Sequence, residues 1–463
     1  MLLFLRIFAL LSLLVLFAPS SFAQRTSAPE DTAHTTPKHR VHARIQAPKI
    51  RRNDASNAPA FVFEYDYQQP APPPQGVRVD VNERGLQVAS ADDRFQFGLS
   101  AFGQFTYRLQ RSNTEGGHPD GFVLHKLRPS LRGRIGGRVD YKFTLDIKAN
   151  AVNIHDAFLA IRPHERLILR VGIQKPIFGI EQRQSTRNNL FLSRSLAASI
   201  GASRDIGLAI DAPVHDRFRI ELGMYNGVAD GQGFRAITPG SPAMNAGLRW
   251  SAVGRDHATD DAPGYLTIGA STHLRRVDGR GDLPQLSEDI SRGGRVLRTY
   301  ADDVYADGRT WNNTAFAYGG YRGFYALAEF VTAHRHLHAE GASARVVEHA
   351  WHGALAYTFG GMSGWNGTIP HRSVFDGGLG ALRIAARAHG KTIRARGGDY
   401  LIDVNGQPTH RIAPLALGAS LAWQLSETMR LQTDYDVTTF DIDRAFGANP
   451  TEHVVQFGVT IGY

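Results

Sequence analysis

The sequence predicts an all-β fold: a transmembrane antiparallel β-barrel of about 16 strands with one long loop folded inward. Three observations predict it. A leader-like N-terminus is followed by no second apolar run long enough to cross a bilayer. Alternation of apolar and polar residues recurs along most of the chain, and the last strand ends on an aromatic residue.

The first 23 residues read as a signal peptide. Arg6 supplies the charged start, Ile7 to Phe17 is almost unbroken apolar, and Ser21-Phe22-Ala23 suits cleavage before Gln24. A spanning helix needs about 18 or more apolar residues, and nothing later approaches that. Membrane insertion must then be by strands, because only helices and closed barrels satisfy their backbone groups in lipid.

Residues 24–76 are rich in Pro, Ser, Thr, Ala and His, with a basic run from Lys38 to Arg52 and prolines at 70, 72, 73 and 74. Such composition cannot bury enough surface to offset its ordering entropy, so we read a disordered periplasmic arm. The barrel domain is then 77–463. A hairpin opens it, with Val77, Val79 and Val81 turning at Asn82-Glu83-Arg84-Gly85 into Leu86 and Val88.

From Phe95 the alternation is regular. Phe95, Phe97, Leu99, Phe105, Tyr107 and Leu109 share one face of the first long strand. In the next, Val123, Leu127, Leu131 and Ile135 are expected on one face, and Lys126, Arg128, Arg132 and Arg134 on the other. Four cations on one face suit a water-filled lumen, with the aliphatic face in lipid. Val139, Tyr141, Phe143, Leu145 and Ile147 repeat the pattern opposite Lys142, Asp146 and Lys148. Leu167 to Ile173 leaves Arg170 and Gln174 inward.

From Lys175-Pro176 to Arg204-Asp205-Ile206-Gly207 the chain lacks strand periodicity and carries Arg183, Arg187, Arg194 and Arg204 against Glu181 and Asp205. Long aperiodic segments in compact folds are usually functional or disordered, and this one is the candidate for a loop folded into the pore. Further strands are read near 205–214, 218–226, 264–275, 312–321, 324–334, 350–359, 379–389, 415–425, 429–440 and 453–463. Tight turns such as Pro163-His164-Glu165 and Ser426-Glu427-Thr428 suit the periplasmic end. The inserts at 227–242, 276–298 and 390–410 suit external loops. In the last strand Val455, Phe457, Val459, Ile461 and Tyr463 alternate with Gln456, Gly458, Thr460 and Gly462.

The chain has no cysteine, 48 glycines and a formal charge of +9, which loss of the leader lowers only by Arg6. No nucleic-acid motif accounts for the basicity, and an anionic solute fits it better. His334, His336 and His338 share a strand face, but neighbours there lie about 6.6–7 Å apart, too far to close on one metal without a bend. No G-x-S-x-G, P-loop or H-E-x-x-H motif occurs. Asp140, Asp146 and Glu221 are expected as lumen groups and not as an acid/base pair, and some of the arginines are expected to pair with Asp146, Glu221 or lipopolysaccharide. No cofactor or metal is implied.

The sequence resembles the phosphate-selective porins O and P of bacterial outer membranes over most of residues 85–463. The resemblance lies in Arg128–Arg134 followed by Tyr141-Lys142-Phe143, Asp156-Ala157-Phe158, Val171 to Gly179, Arg204-Asp205-Ile206-Gly207, Gly223 to Gly227 and Gly380 to Arg387. It implies a 16-stranded, trimeric barrel with an inward-folded third loop and cations along the channel. The loop departs from the family at Ser193-Arg194, where relatives often carry an acidic residue before the Arg.

Together these readings predict an outer-membrane porin that passes anions (phosphate, pyrophosphate, chloride) and contacts lipid and lipopolysaccharide. The expected anion path is Lys126, Arg128, Arg132, Arg134, Arg170, Arg183, Arg187, Arg194 and Arg204. The alternatives are a general diffusion porin with weak anion preference and an outer-membrane hydrolase. The chain is not expected to be an enzyme.

Overall fold

A computed structural model describes residues 76–462, apart from 83–84, 113–118, 149–150, 202–203, 228–241, 254–263, 280–285, 287–288, 302–303, 340–341, 404–406 and 443–450. The expected leader, the arm up to residue 75, most of the insert at 227–242 and Tyr463 lie outside the described residues.

Sixteen antiparallel strands close into a barrel. They are β1 (Gln96–Ser112), β2 (Gly121–Ile135), β3 (Val139–Lys148), β4 (Ala151–His164), β5 (Leu167–Gln174), β6 (Asp205–His215), β7 (Phe218–Tyr225) and β8 (Ala243–Val253). The rest are β9 (Gly264–Asp278), β10 (Tyr305–Tyr321), β11 (Phe324–Ala339), β12 (Ala342–Phe359), β13 (Ala381–Arg396), β14 (Arg411–Gln424), β15 (Met429–Ile442) and β16 (Thr451–Gly462). Each pairs with its chain neighbour, and β16 closes on β1 from Glu452 opposite Ser112 to Gly462 opposite Phe102. Closure removes the free edges that an open sheet would expose to lipid.

The expected hairpin is present as Val77–Asn82 and Gly85–Ser90, and its second strand pairs with the start of β1 from Leu86 opposite Leu99. Short turns gather at this end of the barrel, as at 136–138, 165–166, 216–217 and 322–323. The connections 175–204, 279–304 and 397–410 lie at the other end. Part of the loop end forms a small four-stranded sheet from 289–290, 296–300, 401–402 and 408–409.

The two faces of the wall follow the sequence parity. Leu99, Phe105, Phe143, Leu159, Val171, Phe330, Leu355, Ile384 and Leu417 are exposed on the outside, as lipid-facing residues must be. Gln104, Thr106, Arg108, Asp146, Glu329, Arg383, Arg387, Asp434 and Gln456 are buried on the inside.

Several expectations need correction. Val123 does not share the face of Leu127, Leu131 and Ile135. Gln104 pairs with Lys126 but Phe105 pairs with Leu124, so His125 is an extra residue and the parity reverses above it. Val123 therefore stands opposite the inward Thr106. Residues 276–278 and 390–396, read as loop, continue β9 and β13. Likewise, β4 runs through Pro163 and His164, so the turn is at Glu165-Arg166.

Candidate functional site

Between β5 and β6, residues 175–204 form one helical turn, α1 (Ile180–Arg183), and two 3-10 turns at 186–188 and 196–199. This loop is bound along its length to inward-facing side chains of distant strands. Glu329 of β11 accepts the backbone N–H of Ile180 at 2.7 Å, and Arg183 donates to Glu221 of β7 at 2.7 Å. Arg383 of β13 donates to the Leu190 carbonyl at 2.8 Å, and Gln432 of β15 donates to the same oxygen at 2.9 Å. Asp434 accepts the Leu192 N–H at 2.6 Å, and Ser193 donates to Gln456 of β16 at 2.8 Å.

Glycines on β16 admit the loop. A Cβ at Gly458 would stand 2.5 Å from Leu192, and one at Gly462 only 1.7 Å from the Arg187 guanidinium. The alternation that put Gly458 and Gly462 on the lumen face thus has a steric purpose.

Charges along the loop are sorted by direction. Glu181 accepts from the Ser195 amide at 2.9 Å and lies 3.7 Å from His352 of β12. Burial pushes its carboxyl up, but His352, Ser195 and Arg387 outweigh that and hold it below the ordinary carboxylate range. Arg194 and Arg187 instead meet cations of the β1–β4 wall. Burial pushes Arg194 down to about 10; Glu181 opposes the shift, while Arg204 and Arg128 add to it. Burial and then Arg132 lower Arg187. Lys175 donates to the carbonyls of Arg183 and Gln184 at 2.9 and 2.7 Å, and is held well below the usual lysine range by burial, Arg204 and Arg194.

The structure divides the nine predicted residues into groups. Lys126, Arg128, Arg194 and Arg204 lie in one another's field, and Arg132 in that of Arg187. Arg128 is also held by Asp146 through contacts of 2.8 and 3.2 Å, and Arg204 by Asp156 at 2.8 Å. The other three sit in separate ion pairs: Arg134 with Asp140 at 2.8 Å, Arg170 with Asp211 at 3.2 Å, and Arg183 with Glu221. The partnering expected for Asp146 and Glu221 is thus present, and Asp140, Asp156 and Asp211 hold further arginines.

Sequence reasoning missed several groups. Arg108 and Lys175 belong to the same cationic region as Lys148, which its parity on β3 places inward, and parity on β1 could have flagged Arg108. A second loop also reaches the lumen face. Ser291 and the Gly293 amide donate to Glu452 of β16 at 2.8 and 3.0 Å. Arg298 bridges Asp289 at 2.7 Å and Glu348 at 2.6 Å, and Lys391 contacts both acids at 2.7 Å. Nothing in the local sequence announces these long-range pairs. Among the described residues no cluster of three His, Asp or Glu is placed to hold a metal.

The lumen-facing wall of β1–β4 is dense in cations, and the loop bound to inward-facing side chains adds more. Residues 101–282 match the phosphate-selective porin O and P family. The resemblance drawn from the motifs holds across that stretch, which contains most of β1, all of β2 to β9 and the whole loop. The chain is also 22% identical over 449 residues to an uncharacterised protein of Caulobacter vibrioides, covering 92% of this chain and 81% of that one. Among solved structures it is similar to an anion-selective porin of Comamonas acidovorans, with 13% identity, 80% of this chain and 100% of that one covered and a TM-score of 0.46. It is also similar to the outer-membrane channel DcaP of Acinetobacter baumannii, with 11% identity, 79% and 97% covered and a TM-score of 0.46. The match to the porin family over residues 101–282, together with the closed sixteen-stranded barrel, supports an outer-membrane channel.

Proposed function

We propose that this channel is anion-selective and water-filled, with phosphate or polyphosphate as its preferred cargo. The anion path runs along Lys126, Arg128 and Arg132 on the wall and Arg187, Arg194 and Arg204 on the loop. Arg134 and Arg170 extend the ladder towards the short-turn end, and Arg183 braces the loop through Glu221. Three copies assemble as a trimer, as the family implies.

The observation that carries this reading is the sorting of the loop's charges. Its carboxylate, Glu181, accepts from Ser195 and lies beside His352, whereas Arg187 and Arg194 lie in the field of the wall cations Arg132 and Arg128. Like charges brought together in a confined pore raise the local anion concentration and steer anions inward. Guanidinium groups match phosphate oxygens in a bidentate way and stay charged across the physiological range. Pairing of Arg128 with Asp146 and of Arg204 with Asp156 tempers each site, which favours release over trapping.

Single-channel recording in planar bilayers tests it. Phosphate added to a chloride solution is expected to reduce the chloride current at low concentration. A general diffusion pore would carry chloride undisturbed by the same phosphate.

A further inference from the structure

The outside of the barrel carries a second cationic pattern, unrelated to the pore. On β11, Phe330, His334 and His336 face outward, because Glu329, Val331, Ala333, Arg335 and Leu337 between and beside them are buried on the other face. Register places His336 opposite Arg345 of β12, and Arg345 opposite Arg396 of β13. One step towards the short-turn end, Arg394 of β13 stands opposite Arg411 of β14. Arg345, Arg394 and Arg396 are exposed.

Like charges directly opposite on neighbouring strands destabilise a sheet. Arg411 is relieved by Asp441 at 2.9 Å. Among the described residues no carboxylate pairs with Arg345, Arg394 or Arg396, and the Arg345 guanidinium donates instead to His334 Nδ1 at 3.3 Å. The row is therefore left as a concentrated positive patch that an anion with several oxygens would relieve.

Its height on the wall identifies the anion. From Phe324 at the start of β11 to His334 is ten residues, about 33 Å along a strand. At a tilt of about 40° this is roughly 25 Å along the barrel axis, the height of the apolar band of such barrels. The aromatic side chains of Trp311, Phe330 and Trp351 lie just below, 51%, 48% and 40% exposed. The arginines thus begin where lipid acyl chains end and headgroups start, on the membrane leaflet next to the long loops.

We propose that this face binds a phosphorylated glycolipid of the outer leaflet. Its sugar phosphates lie over Arg345, Arg394 and Arg396, with His334 and His336 beside them, and its acyl chains run down over Trp351 and Phe330. A free phosphate ion would use the same arginines but nothing of the aromatic wall, so the lipid is the occupant that accounts for both.

Native mass spectrometry of the full protein in detergent, with bisphosphorylated lipid A, enzymatically dephosphorylated lipid A or inorganic phosphate added, tests the assignment. The native protein is expected to retain bisphosphorylated lipid A, and to retain the dephosphorylated form on the order of tenfold less. The variant Arg345→Gln/Arg394→Gln/Arg396→Gln should lose retention to a similar degree, with its heat-modifiable gel shift and conductance unchanged because these side chains face away from the lumen. Inorganic phosphate at equal concentration should displace none of the lipid. Equal retention of the two lipid forms by the native protein would overturn the proposal without recourse to any variant. So would undiminished retention by the triple variant, displacement by inorganic phosphate, or a change of oligomeric state in the triple variant with lipid still bound.

Discussion

The guanidinium of Arg387 on β13 donates to the backbone carbonyl of Ser193 at 2.7 Å. The same group forms a fork on Asp436 of β15, with both carboxylate oxygens at 2.8 Å, and lies 4.1 Å over the ring of Phe191. One buried side chain therefore joins two strands and the loop between β5 and β6. The position of the loop is a property of the wall opposite its root.

Replacing Arg387 with Leu should free the loop and leave Asp436 buried without its partner. Breaking a buried pair from one side typically costs about 3–5 kcal/mol. The expected outcome is a barrel that still closes, because its strand ladder is untouched, but unfolds at a lower temperature in a heat-modification gel. Its single-channel current should show added open-state noise. A quiet channel of unchanged heat resistance would show that the loop is held elsewhere.

The parity of β2 makes opposite predictions for adjacent residues. Leu131 pairs with Leu99 and Phe143 on the lipid face, whereas Arg132 points to the lumen. Arg132→Ala should fold and lose anion selectivity. Leu131→Arg should impair insertion, at a cost of roughly 2–4 kcal/mol near the bilayer midplane. Refolding yield in detergent or lipid, with reversal potentials for whatever refolds, separates the two. A swap of these outcomes would mean that the strand faces the other way.

Lys175 predicts a pH dependence. Burial, with Arg204 and Arg194, lowers its affinity for a proton, so its positive charge disappears as pH rises through a value well below the ordinary 10.5. Anion selectivity should therefore decline with rising pH before solvent-exposed lysines titrate. Lys175→Arg keeps the charge and should weaken the decline. Reversal potentials measured across that range would refute the assignment if native protein and variant fell together.

The strands that cross the bilayer were legible in the sequence because lipid on one side and water on the other impose a period of two. Leu99, Phe143 and Leu131 obey it, and so do the loop-admitting glycines of β16. Where strands rise past the lipid, both faces meet water and the period fades. This is why 390–396 read as loop although it continues β13. The bulge at His125 was invisible because one extra residue leaves local composition unchanged while reversing every side chain beyond it. The candidate site was half legible. The density of arginine between 183 and 204 marked the loop, but the pairing of Arg128 with Asp146 depends on the register of β2 and β3. The bonds from Arg383, Gln432 and Asp434 join residues about two hundred positions or more apart, and no local pattern encodes them.

The central claim, an anion path between the loop and the β1–β4 wall, is tested most directly by the reversal potential in a potassium chloride gradient for the native channel and for Arg194→Glu. The native channel is predicted to favour chloride over potassium. The variant, whose new carboxylate stands in the field of Arg128 and Arg204, is predicted to shift clearly towards potassium. A native preference for potassium, or a variant indistinguishable from the native channel, would contradict the account.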